Sequence, residues 1–262
     1  MTDAIPLKRM HAAGAQPRAG SHCSDGMDVD TNWHFHDMHQ LLYAFEGAIE
    51  VESARGRHLI PRQLAAWIPA GVPHSTIIHR VRSGSVFFPV DAVGAPGDRV
   101  RTVLVSTLMR EMIREAMRWP VREPESPVGA DFFAAMARLC TEWIACETDL
   151  FLPTSRDARL KRALDYTAER TDATLSAVCR HAGMSERSLR RNLGIDIGMS
   201  WEDYRRRSRL LRAVALLGET GTPIGAVAAS CGFESPSAFA KAFRLAMGEA
   251  PRQYRIRVRD SL

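Results

Sequence analysis

Toward the C-terminus, apolar positions recur in one spaced pattern that occurs twice. The first copy places Leu175, Val178, Gly183, Met184, Leu189, Leu193, Gly198 and Tyr204. The second places Ile224, Val227, Gly232, Phe233, Phe239, Phe243, Gly248 and Tyr254. The offset between copies is 49 residues as far as Phe233 and 50 from Ser235 onward, so one extra residue enters the second turn. Self-similarity of this kind indicates one supersecondary unit built twice. In each copy two apolar residues three apart mark one face of a helix. A glycine follows where the chain must turn, then a serine with N-cap chemistry: Ser185 before Glu186, and Ser235 before Pro236. The second helix of each copy buries Leu189 and Leu193, or Phe239 and Phe243. Opposite those residues the pattern puts Ser185, Glu186, Arg187, Arg190 and Arg191 in one copy, and Ser237, Ala238, Lys241 and Arg244 in the other. A helix buried behind and polar, mostly basic in front is what a DNA major groove accepts.

The front half of the chain has a shorter period. Runs at Gln40–Phe45, Ala48–Glu52, Leu64–Ile68, Ser75–His79 and Ser85–Val90 are broken by Gly47, Gly56, Pro61, Pro69, Gly71, Pro73 and Gly84. Short strands with regular turns predict a small barrel or sandwich. Two amphipathic helices are expected to follow, one over Val100, Val103, Leu104, Leu108, Met112 and Ile113, the other over Phe132, Phe133, Met136, Leu139, Cys140, Trp143 and Ile144. Residues 1–20 are small, polar and Pro/Gly-containing and are expected to be a disordered tail. The expected domains are 21–152 and 157–262, with a boundary near Leu152-Pro-Thr-Ser-Arg156. The fold class is thus two-domain α+β, a β-barrel followed by helices and then an all-α domain.

Charge divides the same way. From Ser155 onward the chain carries 20 Lys and Arg against 12 Asp and Glu; before it the count is 15 against 18. Only the back half is built to meet phosphate. Arg205, Arg206, Arg207, Arg209 and Arg212 cluster between the two copies, as phosphate contacts or as pairs within the domain.

On these residues the segment 172–256 resembles the DNA-binding domain of the AraC/XylS family of bacterial transcription regulators. The stretch Cys231-Gly-Phe-Glu-Ser-Pro-Ser-Ala-Phe-Ala-Lys-Ala-Phe243 carries most of the likeness, with Arg209, Ala213, Leu217 and Pro251 around it. The resemblance implies two helix-turn-helix modules around a linking helix over Trp201–Leu217. It also implies Arg205 and Arg209 among the DNA-binding residues, with Ser235 and Arg244. The implied partners are double-stranded DNA, a small-molecule effector, RNA polymerase if the output is activation, and a second copy of the chain. Leu193 stands where the family usually has Phe, and Gly194 weakens the first reading helix by about 1 kcal/mol relative to Ala.

Histidines concentrate in the barrel region: His34, His36, His39, His58, His74 and His79. His34-x-His36, Gln40, Gly47 and Pro69-x-Gly71-x-x-His74 resemble the two cupin motifs. In metal-binding cupins two histidines, a Glu and a later histidine converge on one ion. Here Gln40 stands at the Glu position, and a neutral amide is the weaker ligand. His34, His36 and His74, with Gln40, therefore either hold a divalent metal such as Zn or Ni or line the effector pocket. Trp33, Tyr43, Trp67 and Phe87 either line that pocket or pack the core.

The resemblance makes the barrel the sensor of an effector-controlled, sequence-specific activator or repressor. A metal-responsive regulator using the barrel histidines is the alternative. A constitutive DNA binder with a dimerising barrel, and a cupin enzyme with a DNA-binding tail, are the others. No Ser-His-Asp order, nucleotide-binding glycine loop or helical zinc motif is present, so an enzyme is not expected. The five cysteines are odd in number and lack metal-type pairing, which suits reduced thiols. No apolar run reaches membrane-spanning length and no signal pattern opens the chain, so no membrane partner is expected and a cytoplasmic location is.

Overall fold

A computed structural model describes residues 5–11, 17–54, 56–78, 80–123, 126–148, 150–219 and 221–259. Residues 1–4 and 12–16 of the expected tail, and His79, lie outside the described residues. The chain divides into two units, Met1–Thr148 and Asp149–Leu262.

The first unit is a sandwich of two antiparallel sheets. One contains β1 (Gly20–Ser24), β8 (Ser83–Phe88), β3 (His39–Ala44), β6 (Leu64–Ile68) and β9 (Arg101–Leu104), in that spatial order. The other places β5 (Gly56–Pro61), β4 (Ala48–Ser53), β7 (His74–Ile78) and β2 (Val29–Asp30) side by side. Helices α1 (Thr107–Ala116) and α2 (Pro127–Ala145) complete the unit. Ser106 and Ser126 cap them, accepting from the amides of Met109 and Gly129.

Strand β3 explains how one sheet serves two layers. All six of its residues are buried. Leu41 and Tyr43 point to a core shared with Trp67, Val86 and Phe88 and with Met109, Ile113, Phe133, Met136 and Cys140 of the helices. Gln40 and Leu42, on the other face, line a cavity between the sheets. A strand buried on both faces reads as a continuous apolar run instead of an alternation.

Several expectations change here. The N-terminal segment is not a uniformly disordered tail. Lys8 N–H donates to the Phe35 carbonyl at 2.8 Å, Phe35 N–H donates to Pro6 at 3.1 Å, and Met10 is buried. Val100–Leu104 does not start a helix. Arg101–Leu104 is β9, paired with β6 from Trp67↔Arg101 to Leu64↔Leu104, because Thr102 and Val103 are β-branched and the helix waits for the Ser106 cap. His34 to Gln40 is not one strand: His34 forms an isolated bridge with His74, and β3 begins at His39. Gly56 and Pro61, expected as turn residues, are the two ends of strand β5.

The second unit opens with β10 (Leu152–Thr154) and continues with α3 (Ala158–Glu169), α4 (Leu175–Ala182), α5 (Glu186–Asn192), α6 (Trp201–Glu219), α7 (Ile224–Ser230), α8 (Pro236–Met247) and α9 (Pro251–Arg259). Helix α6 is the linking helix and contributes buried Trp201, Tyr204, Leu210, Leu211, Val214 and Leu217. Its Trp201 indole donates to Thr167 of α3 at 3.2 Å.

Candidate functional sites: two reading helices and a buried cavity

The two copies of the sequence pattern fold into α4–α5 and α7–α8 by the same local chemistry. Thr174 caps α4 by accepting from Ala177 N–H at 3.2 Å. After α4 the chain turns at Gly183, with φ +66°, and Met184 N–H reaches back to Cys179 O at 2.9 Å. After α7 it turns at Gly232, with φ +79°, and Phe233 N–H reaches Ala228 O at 3.0 Å. Both are Schellman-type closures, in which the left-handed residue carries no Cβ. Ser185 and Ser235 then open the next helices by accepting from Ser188 and Ala238 N–H, at 3.2 and 3.1 Å. The extra residue of the second copy is Glu234, in the turn between Gly232 and Ser235.

Each second helix is anchored from behind. Leu189 and Leu193 are fully buried in one module, Phe239 and Phe243 in the other. Phe233, Phe239, Phe243 and Tyr254 form a chain of aromatic rings with successive centroids 5.1, 5.5 and 5.5 Å apart. The opposite faces are exposed. They carry Ser185, Glu186, Arg187, Arg190 and Arg191 on α5, and Ser237, Ala238, Lys241 and Arg244 on α8, with Ser235 half-buried beneath its cap bond. Arg190 pairs with Glu202 at 3.2 Å, both more than half exposed. Such a surface pair is worth about 0–1 kcal/mol and yields readily to a phosphate or a base.

Gly194 leaves a visible mark. The α-helical part of α5 stops at Asn192, and Leu193–Ile197 continue as a π-helical turn up to Gly198. The second module has no such interruption: α8 runs unbroken from Pro236 to Met247.

Arg205 and Arg209 differ from the other candidate DNA-binding residues. Arg205 lies over the Trp201 ring with its guanidinium 4.9 Å from the centroid. Arg209 donates Nε–H to the Thr171 carbonyl at 2.9 Å and lies 5.9 Å from the Phe233 ring centroid. Burial lowers its pKa, and the neighbouring Arg205 adds to that. Both side chains are half-buried and engaged inside the unit. Arg209 thereby joins the segment before α4 to the turn after α7.

Between the sheets of the first unit lies a cavity of about 270 Å³. Met10, Val29, Leu42, Ile78 and Phe87 supply its apolar wall, and Ser24, Thr31, Thr76, Ser83 and Ser85 its hydroxyls. Lys8 and Arg122 bring positive character, His22 adds a ring whose pKa burial lowers, helped by those two cations, and no carboxylate lines the cavity among the described residues. Of the four aromatic candidates only Phe87 lines it. Tyr43 and Trp67 belong to the helix-facing core, and Trp33, half-buried, is not part of the wall. Lys8, Met10, His22 and Arg122 carried no local signal in the sequence, since only the fold brings them together.

His34 and His36 line the same cavity, and His74 stands against them. Each ring is fixed through Nδ1: His34 to Asn32 O at 2.9 Å, His36 to Lys8 O at 2.9 Å, His74 to Val72 O at 3.0 Å. Burial lowers the pKa of His34, of His36 to about 4 and of His74 to about 3, each offset in part by the hydrogen bond to its carbonyl. All three are neutral at pH 7. Gln40 does not complete the set as a carboxylate would. Its amide donates to Ser85 Oγ at 2.8 Å, and its carbonyl oxygen is buried without a hydrogen-bond partner among the described residues. His39 is structural: Nδ1 accepts from Ala70 N–H at 2.9 Å and Nε2 donates to Val90 O at 3.2 Å.

Comparison with known proteins gives two family matches on separate parts of the chain. Residues 23–88 match the AraC-like ligand binding domain, and residues 178–257 match a helix-turn-helix domain. The HTH-type transcriptional regulator NimR of Escherichia coli K12 is 27% identical over 225 residues, 84% of this chain and 81% of NimR. The HTH-type transcriptional activator RhaR of Klebsiella pneumoniae is 29% identical over 178 residues, 67% of this chain and 61% of RhaR. Among solved structures, ToxT of Vibrio cholerae with a bound unsaturated fatty acid aligns over 91% of this chain and 94% of its own, at 14% identity and a TM-score of 0.38. Most of the cavity wall, His34 and His36 included, falls in the part matched as ligand binding domain, with Lys8, Met10, His22 and Arg122 outside it; both modules, from Val178 of α4 onward, fall in the part matched as helix-turn-helix. With both matches in this order on one chain, the protein belongs to the AraC/XylS family of helix-turn-helix transcription regulators.

Proposed function

We propose that α5 and α8 enter successive major-groove faces of one operator, about one helical turn or ~34 Å apart. The observation that carries this reading is the duplication itself. The same cap, left-handed glycine and buried stripe appear twice, each with an exposed polar face. Arg187, Arg190 and Arg191 on α5, and Ser237 and Lys241 on α8, are the groups for base edges. Ser185, Glu186, Ala238 and Arg244 border them, and Ser235 fixes the start of α8. Arg205 and Arg209 hold the modules in place and do not read DNA.

The cavity in the ligand-binding unit takes the effector. Its apolar wall with Lys8 and Arg122 suits a small molecule with an apolar body and an anionic group. The effector regulates by favouring one state of the chain over another, which requires unequal affinity for the two. A homodimer on DNA and, for an activator, RNA polymerase complete the set of partners, and the site of action is the bacterial cytoplasm.

DNA footprinting on the promoter regions of the protein's own gene and its neighbours tests the reading. Protection of two major-groove segments one turn apart is the expected result. Protection of a single segment would refute the use of both modules. No protection at low salt, where phosphate contacts are strongest, would refute DNA binding at these sites.

A further inference from the structure

Three hydrogen-bond acceptors face one another in the first unit with no donor among them. The Nδ1 atoms of His34, His36 and His74 each meet a backbone carbonyl, which can only accept. Nδ1 must therefore carry the proton in all three rings, and each neutral imidazole presents a bare lone pair at Nε2. The Nε2 atoms of His34 and His36 stand 3.2 Å apart. Nε2 of His74 is fully buried and has no hydrogen-bond partner among the described residues. One ligand atom from each ring lies within 4.8 Å of the other two. Converging lone pairs repel one another unless something positive lies between them.

A metal ion fits that description. Two imidazole nitrogens bound to one tetrahedral zinc at ~2.0–2.1 Å are roughly 3.3 Å apart, close to the spacing of His34 and His36. The ligand atom of the third ring lies within 4.8 Å of the other two and has to close in to reach the same ion. The carbonyls on Nδ1 are the outer partners that metal-binding histidines use to fix tautomer and orientation. Because the protons already sit on Nδ1, metal uptake by these neutral rings displaces none. The Gln40 carbonyl oxygen, buried and without a donor among the described residues, adds another acceptor on the cavity wall.

We propose that His34, His36 and His74 bind one divalent transition-metal ion through Nε2, with a further coordination position open to the cavity for an anionic donor. Three neutral nitrogens and no carboxylate suit Zn²⁺, Ni²⁺ or Co²⁺ and disfavour Mg²⁺ or Ca²⁺. His34 and His36 belong to the ring triad and to the cavity wall at once, so a ligand in the cavity meets the metal directly. The metal site does not depend on the two-module reading of the operator.

The test uses the full chain without a histidine tag, stripped with chelator and titrated with Co²⁺. The expected result is one Co²⁺ per chain, with the visible absorption of nitrogen-ligated four- or five-coordinate cobalt, and the same stoichiometry for Zn²⁺ by elemental analysis. Folded wild-type protein that takes up no stoichiometric metal would overturn the proposal. So would uptake that survives in both His74→Gln and His36→Asn. His22→Ala, on the cavity wall but outside the triad, keeps the metal. Wild-type protein rises in melting temperature on metal addition and His74→Gln does not, which separates lost ligation from lost folding. Azide added to the Co²⁺ form shifts its spectrum; an unchanged spectrum would refute the open position. Operator binding by the metal-free chain is measured beside these, so failure of the metal site and failure of the regulator reading remain distinct.

Discussion

The two turn glycines permit a comparison that tests how the DNA-binding unit is held. An added Cβ at Gly183, φ +66°, meets nothing within 4 Å. Gly183→Ala therefore incurs only the left-handed backbone strain of an L-residue, roughly 1–2 kcal/mol. At Gly232, φ +79°, the same Cβ lies 2.9 Å from an Arg209 terminal nitrogen and 3.2 Å from its Cζ and Nε. The guanidinium has to move, and moving it strains or breaks the 2.9 Å bond to the Thr171 carbonyl. A hydrogen bond to a charged group contributes about 1.5–3 kcal/mol, and partial exposure of Arg209 places it at the low end. Gly232→Ala should thus cost about 2–4 kcal/mol. In an Arg209→Ala background the cost should fall back to the ~1–2 kcal/mol of Gly183→Ala, because the obstructing group is gone. Hydrogen exchange of peptides covering α4–α5 and α7–α8 in the full chain reports the opening free energy of each module. Equal costs for the two glycines, or an excess at Gly232 that persists without Arg209, would refute the argument.

Phe243→Ala, at a fully buried position in the ring chain, should destabilise the second unit by about 3–5 kcal/mol, seen as a lower thermal transition. Arg187→Ala should lose about 1–3 kcal/mol of discrimination at one base pair while binding to random DNA barely changes. Equal losses on both DNAs would make Arg187 a phosphate contact. His39 has its pKa lowered chiefly by burial, offset in part by the Val90 carbonyl, so the unfolded chain takes up a proton first as pH falls below about 6.5. Its stabilisation is complete above that pH and declines below it, so His39→Asn should reduce the difference in urea midpoint between pH 7.5 and 5. The comparison is made with chelator present.

The DNA-reading modules were legible in sequence because every local signal agreed. Apolar spacing, a capping serine and a turn glycine act within a dozen residues, and they occur twice. Strand β6 was equally plain, an apolar run closed off by turn residues. The barrel was harder wherever local chemistry pointed both ways. Gly56 and Pro61 bracket a strand but read as turns, and Val103 and Leu104 have helical spacing yet pair with β6. The histidine triad was readable from His34-x-His36 and a later His74, although the segment joining it to Gln40 is not one strand. The cavity's Lys8, His22 and Arg122 were not readable at all. They come from three separate stretches of chain, and only sheet pairing and the bond from Lys8 to Phe35 assemble them.

Strand β3 carries a cavity-facing side and a helix-facing side on the same six residues. Gln40 and Leu42 border the cavity, while Leu41 and Tyr43, a single peptide away, lock into α1 and α2. The strand is a party wall: whatever leans on it from the ligand side is felt by the tenants on the other. Native packing leaves little slack to absorb a displaced side chain. A ligand that displaced Gln40 or Leu42 would press on the same strand that seats α1 and α2.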